Sequence, residues 1–133
     1  MDWRVRAIRG ATTVTENTAA AMREAVSELL DTIEAHNQFD PSDIVSVTFS
    51  VTRDLDALFP AAIARERPDW DNVPLLDVQQ MHVPGSLERC IRVLIHLNTC
   101  KPQTEIHHAY LRRAQSLRPD LPVAQLSLSA PIR

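Results

Sequence analysis

One long amphipathic pattern must serve a chain otherwise built of alternating segments, and that imbalance limits the folds open to it. Met22, Val26, Leu29, Leu30 and Ile33 recur at three- and four-residue spacing, which places them on one face of a helix. Asn17 suits an N-cap, so the spacing predicts a helix from there through about His36, ended by Asn37 and Asp40-Pro41. Trp3 to Arg9 alternates ahead of it and closes at Gly10; Ile44 to Val51 alternates after it, with Val45, Val47, Phe49 and Val51 opposite Ser46, Thr48 and Ser50. Phe59 to Arg65 reads as a short helix with Pro60 in its first turn, Asp69 to Asn72 as a turn, and Val73 to Val78 as a third strand. Cys90 to Asn98 carries the clearest alternation. Ile91, Val93, Ile95 and Leu97 share one face there, while Cys90, Arg92, Leu94, His96 and Asn98 share the other. Between Pro102 and Leu117 the pattern fits a helix, or a strand followed by a helical turn, and both stay open. The order implies an α+β fold with one mixed sheet and the long helix on one face. The other face is left for partners.

The 133 residues suit a single domain, read here as 1–121, with 122–133 as a C-terminal tail. From Pro119 onward there are three prolines and no aromatic residue, so that end is expected to pack weakly or only with ligand. No apolar run is long enough for a membrane span, and the N-terminus alternates apolar and charged residues instead of carrying a leader's apolar core. Cys90 and Cys100 are too few for a disulfide framework and have no zinc-ligand spacing. They read as reduced thiols of a cytoplasmic protein. His107 and His108 are adjacent, so on regular structure they diverge, and no metal is expected. Thirteen arginines stand beside one lysine, Lys101, in a chain of net charge −3. Without a basic stripe interleaved with aromatics, nucleic acid is an unsuitable partner. Arginine does suit bidentate recognition of carboxylates, and which arginines serve that role must come from their positions.

Four motifs supply positions: Arg6-Ala7-Ile8-Arg9-Gly10-Ala11-Thr12-Thr13-Val14, then Leu58-Phe59-Pro60-Ala61, then Cys90-Ile91-Arg92-Val93, and finally Tyr110-Leu111 with Leu117-Arg118-Pro119-Asp120-Leu121. In this order, from about residue 3 to residue 121, the chain resembles the AroH class of chorismate mutases. The resemblance implies a cofactor-free isomerase that converts chorismate to prephenate in phenylalanine and tyrosine biosynthesis. It also implies a homotrimer, a pseudo-α/β barrel with active sites between subunits. That reaction is a unimolecular Claisen rearrangement: the ether bond breaks as a carbon–carbon bond forms, and partial negative charge gathers on the ether oxygen. An enzyme for it holds a flexible dicarboxylate in a compact conformer and sets a cation beside that oxygen. No metal, nucleophile or cofactor is required.

By this resemblance Arg92 reaches the ether oxygen and a substrate carboxylate, Arg9 binds a carboxylate, and Tyr110 gives a phenolic hydrogen bond. Arg65 and Arg118 match more exposed arginines at the cleft mouth, and Phe59, Ala61 and Leu117 match its apolar wall. Taken alone, Arg92 fits equally a buried arginine paired with Glu88 or Glu105, Arg9 and Arg65 fit surface cations, and Tyr110, Phe59, Ala61 and Leu117 fit packing. The chain departs from the family at two positions: Gln80 stands where a glutamate is usual, and Asp77 where a small residue is. The expectation is that Gln80 accepts from the substrate's ring hydroxyl while Asp77 supplies the displaced negative charge. Two other functions remain open: a non-catalytic trimer that binds small carboxylates, and a trimeric imine deaminase. The latter family is usually richer in glycine than a chain holding only Gly10 and Gly85.

Overall fold

The computed structural model describes residues 2–120. Five strands, β1 (Arg4–Thr13), β2 (Ile44–Val51), β3 (Leu75–Gln79), β4 (Cys90–Thr99) and β5 (Ala109–Tyr110), form one sheet in the order β3-β2-β4-β1-β5. Pairings of β4 with β1 and β2 are antiparallel, and those of β2 with β3 and β1 with β5 are parallel. The sheet is mixed, as the sequence implies. Helix α1 (Ala19–Asn37) and the short α2 (Pro60–Arg65) lie on one face.

Met22, Val26, Leu29, Leu30 and Ile33 are all at most 1% exposed, packed on Ile8, Phe49, Ile91, Val93, Ile95 and Leu97. Each such side chain contributes roughly 1.5–3 kcal/mol of gross burial free energy, which outweighs the β-branched residues' mild aversion to helix. The N-cap is Thr18 and not Asn17: Thr18 Oγ1 accepts from the Ala21 N–H at 3.1 Å. Asn17 instead accepts from the backbone N–H groups of Asp56 and Ala57 and donates to the Asp56 carboxylate, tying the loop after β2 to the start of α1. Val45 also departs from expectation. A register shift between Ile44 and Ser46 turns Ile44 inward and leaves Val45 42% exposed, because a bulge adds one residue and breaks the period of two.

The stretch left open, Pro102 to Leu117, follows the second of its two readings, a strand and then a helical turn. It holds a 3₁₀ turn (Gln103–Glu105), the two residues of β5, and a 3₁₀-helix (Arg112–Leu117). Its place is set by the outer edge of β1, whose backbone groups need partners. Gln103's side-chain amide bonds both N–H and C=O of Ala7, His108 Nδ1 accepts from the Arg9 N–H at 3.0 Å, and the Leu111 N–H donates to Ala11 C=O at 2.9 Å. Asn37, buried at the end of α1, accepts from His107 N–H and donates to His107 C=O, both at 2.9 Å. At Gly10 a Cβ would stand 3.1 Å from the Ala109 oxygen, Ile33 and Val93, so glycine lets β5 and α1 close on β1 together. The tail 122–133 lies outside the described residues.

Candidate active site

Strand register decides which side chains meet on the face the helices leave open. Residues directly opposite share a face, so Val78, Ser50, Arg92, Ala11 and Tyr110 form one row across all five strands. Arg9 stands in the next row, opposite Leu94 and Thr48. Ala11, with almost no side chain, is what separates Arg92 from Tyr110. Arg92 is half-buried, pairs with no carboxylate among the described residues, and has a buried Nε without a hydrogen-bond partner. Neither Glu88 nor Glu105 reaches it, so a buried ion pair does not explain this arginine. Burial pushes the pKa of the Cys90 thiol beside it up, against the pull of the Arg92 charge. The thiol therefore stays neutral and leaves the cationic charge uncompensated.

Around this row lies a cleft of about 280 Å³ lined by Arg9, Arg92, Tyr110, Leu117 and Arg118, with Thr48 and Ser50 as its hydroxyl-bearing wall. Three guanidinium groups face it, and among the described residues no acid lines it. His108 holds the backbone of Arg9 through Nδ1, which requires the neutral ring. Burial, then the charges of Arg118, Arg9 and His107, lower its pKa and keep it so. Arg118 places its guanidinium 5.9 Å from the centre of the Tyr110 ring. Asp120 grips the same arginine through two 3.0 Å bonds, the bidentate geometry that a ligand carboxylate would use.

The remaining sequence-predicted residues do not line this cleft. Phe59, 69% exposed, and Asp77 line a separate groove of about 600 Å³ beside the N-terminus of α2, and the two clefts share no lining residue. Asp77 Oδ1 accepts from the Ala61 N–H at 3.0 Å, on the helix side of β3, opposite Phe49. Ala61 is buried in the core, and Arg65 is exposed on the last turn of α2. Gln80 donates its backbone N–H to Val51 C=O at 2.8 Å, and its side-chain oxygen is buried without a partner. Arg92, Arg9, Tyr110, Leu117 and Arg118 are thus brought together, whereas Phe59, Asp77, Gln80 and Arg65 belong to another part of the surface.

Burial raises the pKa of Asp77, and the Ala61 N–H and the charge of Arg65 oppose that rise. A raised carboxyl pKa means the folded chain keeps its proton to higher pH than the unfolded chain, so this group's effect on stability is most favourable at low pH. It is lost as pH climbs from the ordinary carboxyl value through the folded one. Asp77→Asn keeps an acceptor for Ala61 and removes the charge. Thermal melts should find the variant gaining on its parent as pH rises above the ordinary carboxyl value; a constant difference refutes this.

Sequence reading missed Thr48, Ser50 and Leu94 as cleft residues, and His108 as the support of Arg9. Alternation alone could name the face of each but not the neighbour across it, since pairing partners such as Ala11 and Tyr110 lie 99 residues apart.

A mixed sheet covered on one side, with clustered arginines on its bare side, defines a small α+β protein with a cationic cleft. Comparison with known proteins gives that class a family. The family model for chorismate mutase type I matches residues 5–121. Chorismate mutase AroH of Thermus thermophilus is 48% identical over 122 residues, covering 91% of this chain and 99% of that protein; AroH of Bacillus subtilis strain 168 is 43% identical over 117 residues, covering 88% and 92%. A solved chorismate mutase from Clostridium thermocellum superposes with a TM-score of 0.79 at 45% identity, over 83% of this chain and 97% of that one. The chain belongs to the type I chorismate mutases. Among the described residues no helix is long and apolar enough to cross a membrane.

Proposed function

We propose that this chorismate mutase binds chorismate in the arginine cleft and releases prephenate, with each site completed by a neighbouring copy in a homotrimer. The observation that carries the reading is the Arg92–Ala11–Tyr110 row: a half-buried cation with an unpartnered Nε, one small residue away from a phenol. Arg92 meets the negative charge growing on the ether oxygen, and Arg9 and Arg118 take the substrate's carboxylates. Because these donors are already fixed by β1, β4 and the segment after β5, little reorganisation is needed as the charge develops. Tyr110 adds a hydrogen bond and Leu117 an apolar lid. Confinement in so small a cleft favours the folded substrate conformer over extended ones.

The trimer is supported by the incompleteness of either cleft alone. Leu76 and Val78 on the open face are 58% and 40% exposed, and Phe59, Met81 and Val83 are 69%, 79% and 48% exposed. That apolar surface suits burial between copies, in the pseudo-barrel arrangement that the family implies. The groove holding Phe59 and Asp77, with Gln80 and Arg65 on the same part of the surface, would then close over the arginine cleft of the next copy. There Gln80 accepts from the substrate's ring hydroxyl, and Asp77 supplies negative charge opposite the arginines. Residues 1–121 form the mutase domain on this reading, and the buried, unpaired Cys90 suits a reducing cytoplasm.

Loss of chorismate's ultraviolet absorbance with purified protein tests the activity. Rapid conversion is expected; a folded trimer that binds chorismate without turnover would instead be a carboxylate-binding module. On the proposed roles, Asp77→Asn lowers kcat by about tenfold while Gln80→Glu keeps turnover. Unchanged kcat in Asp77→Asn would confine that carboxylate to holding the start of α2.

A further inference from the structure

Arg112 stands where local backbone geometry asks for another residue. Its φ is +54°, in the left-handed region that glycine or asparagine occupies readily and that costs other residues about 1–2 kcal/mol. An arginine persists at such a position when its side chain supplies something a smaller residue cannot. Arg112 Nε donates to Glu28 Oε1 at 3.1 Å, Nη1 donates to the Thr13 carbonyl at 3.0 Å, and Nη2 lies 3.8 Å from Glu24 Oε1. One guanidinium thus joins the end of β1 to the exposed flank of α1. Its side chain is 24% exposed and that of Glu28 17%, so solvent screens the pair less than it would a surface pair.

This residue begins the 3₁₀-helix that ends on Leu117 and is followed directly by Arg118. Two other attachments fix the start of that segment: the Leu111 N–H on the Ala11 carbonyl, and Ala114, fully buried against Ala11 and Tyr110. Past Ala114 the helix is held by Leu117 and by its own turns. Arg112 itself does not line the arginine cleft. Its strained backbone aims the 3₁₀-helix, and its guanidinium locks that direction.

We infer that Arg112 is a positioning residue for the mutase reaction: by clamping β1 to α1 it sets the angle of the 3₁₀-helix and so places Leu117 and Arg118 over the bound dianion. The inference rests on the cleft reading proposed above. Because Leu117 and Arg118 cover the substrate and do not touch the reacting ether, the effect falls on substrate capture. Arg112→Gln is expected to raise KM by about tenfold with kcat within about twofold of the parent. Arg112→Lys, which keeps one charged donor, should recover part of that loss. Glu28→Gln, which leaves the strained residue in place and removes one of its acceptor charges, should raise KM in the same direction and carries the test if Arg112→Gln fails to fold. Arg118→Ala should raise KM as well, and Arg112→Gln/Arg118→Ala should fall well short of the product of the two single effects, since Arg112 acts largely through Arg118.

An unchanged KM in folded Arg112→Gln or Glu28→Gln, beside a raised KM in Arg118→Ala, overturns the inference and leaves the cleft reading standing. So does a double variant whose KM is the product of the two single effects, or a loss confined to kcat and melting temperature. A normal KM in Arg118→Ala together with full activity in Arg92→Ala overturns the cleft reading, and the inference with it.

Discussion

Arg92→Ala is expected to lower kcat for chorismate rearrangement by at least about a thousandfold, while the chain still folds and assembles. Removing one preorganised donor from a developing oxyanion costs about a hundred- to a thousandfold in other enzymes, and here the donor also carries full charge. Folding should survive because the open face holds the side chain: the core beneath β4 is built from Ile91, Val93, Ile95 and Leu97, all at most 4% exposed. Arg92→Lys should be nearly as poor, since an ammonium cannot span ether oxygen and carboxylate with one planar fork. Initial rates with circular dichroism of each variant give the result. Activity of Arg92→Ala within tenfold of its parent would remove Arg92 from the reaction.

The second large effect is a recovery of activity. Arg92→Ala damages the arginine cleft, and Phe59→Asp sets an anion in the other groove, against the dianion; each homotrimer should be close to inactive. If the two grooves meet only between copies, mixed trimers rebuild intact sites wherever an unmodified arginine cleft faces an unmodified Phe59. Equal amounts unfolded and refolded together should regain about one quarter of the parent's activity, because both halves are intact at one interface in four. Mixtures that reform trimers and stay inactive would place the whole site within one subunit.

Much of the fold was legible because β1 and β4 are each ten residues long, and α1 repeats its apolar spacing over about three turns from Met22 to Ile33. Period and face emerge readily from such lengths. Two errors came from single residues: Thr18 took the cap from Asn17 because Asn17 is engaged by the loop after β2, and Val45 left its face through a bulge. The region from Pro102 to Leu117 resisted because two-residue strands and 3₁₀ turns have no period, and tertiary contacts to Ala7, Arg9 and Ala11 shape it. The cleft was legible only in part. Alternation placed Arg92 on a face with no helix above it, but the motif resemblance supplied its role, and only register could set Tyr110 two strands away in the same row. Asp77 could be named as a departure, yet nothing local shows that it bonds the start of α2 across sixteen residues.

The strand order has a consequence for synthesis. β1 leaves the ribosome first, yet its two neighbours in the sheet, β4 and β5, are the last strands to emerge. At about 5–20 residues per second, β1 waits several seconds with both hydrogen-bonding edges open. α1 can shelter its apolar face during that time, but nothing available then can occupy its edges. The nascent chain therefore exposes a pairing-competent strand until β4 and β5 are made, and a chain cut short before β4 is left with that strand as an aggregation hazard.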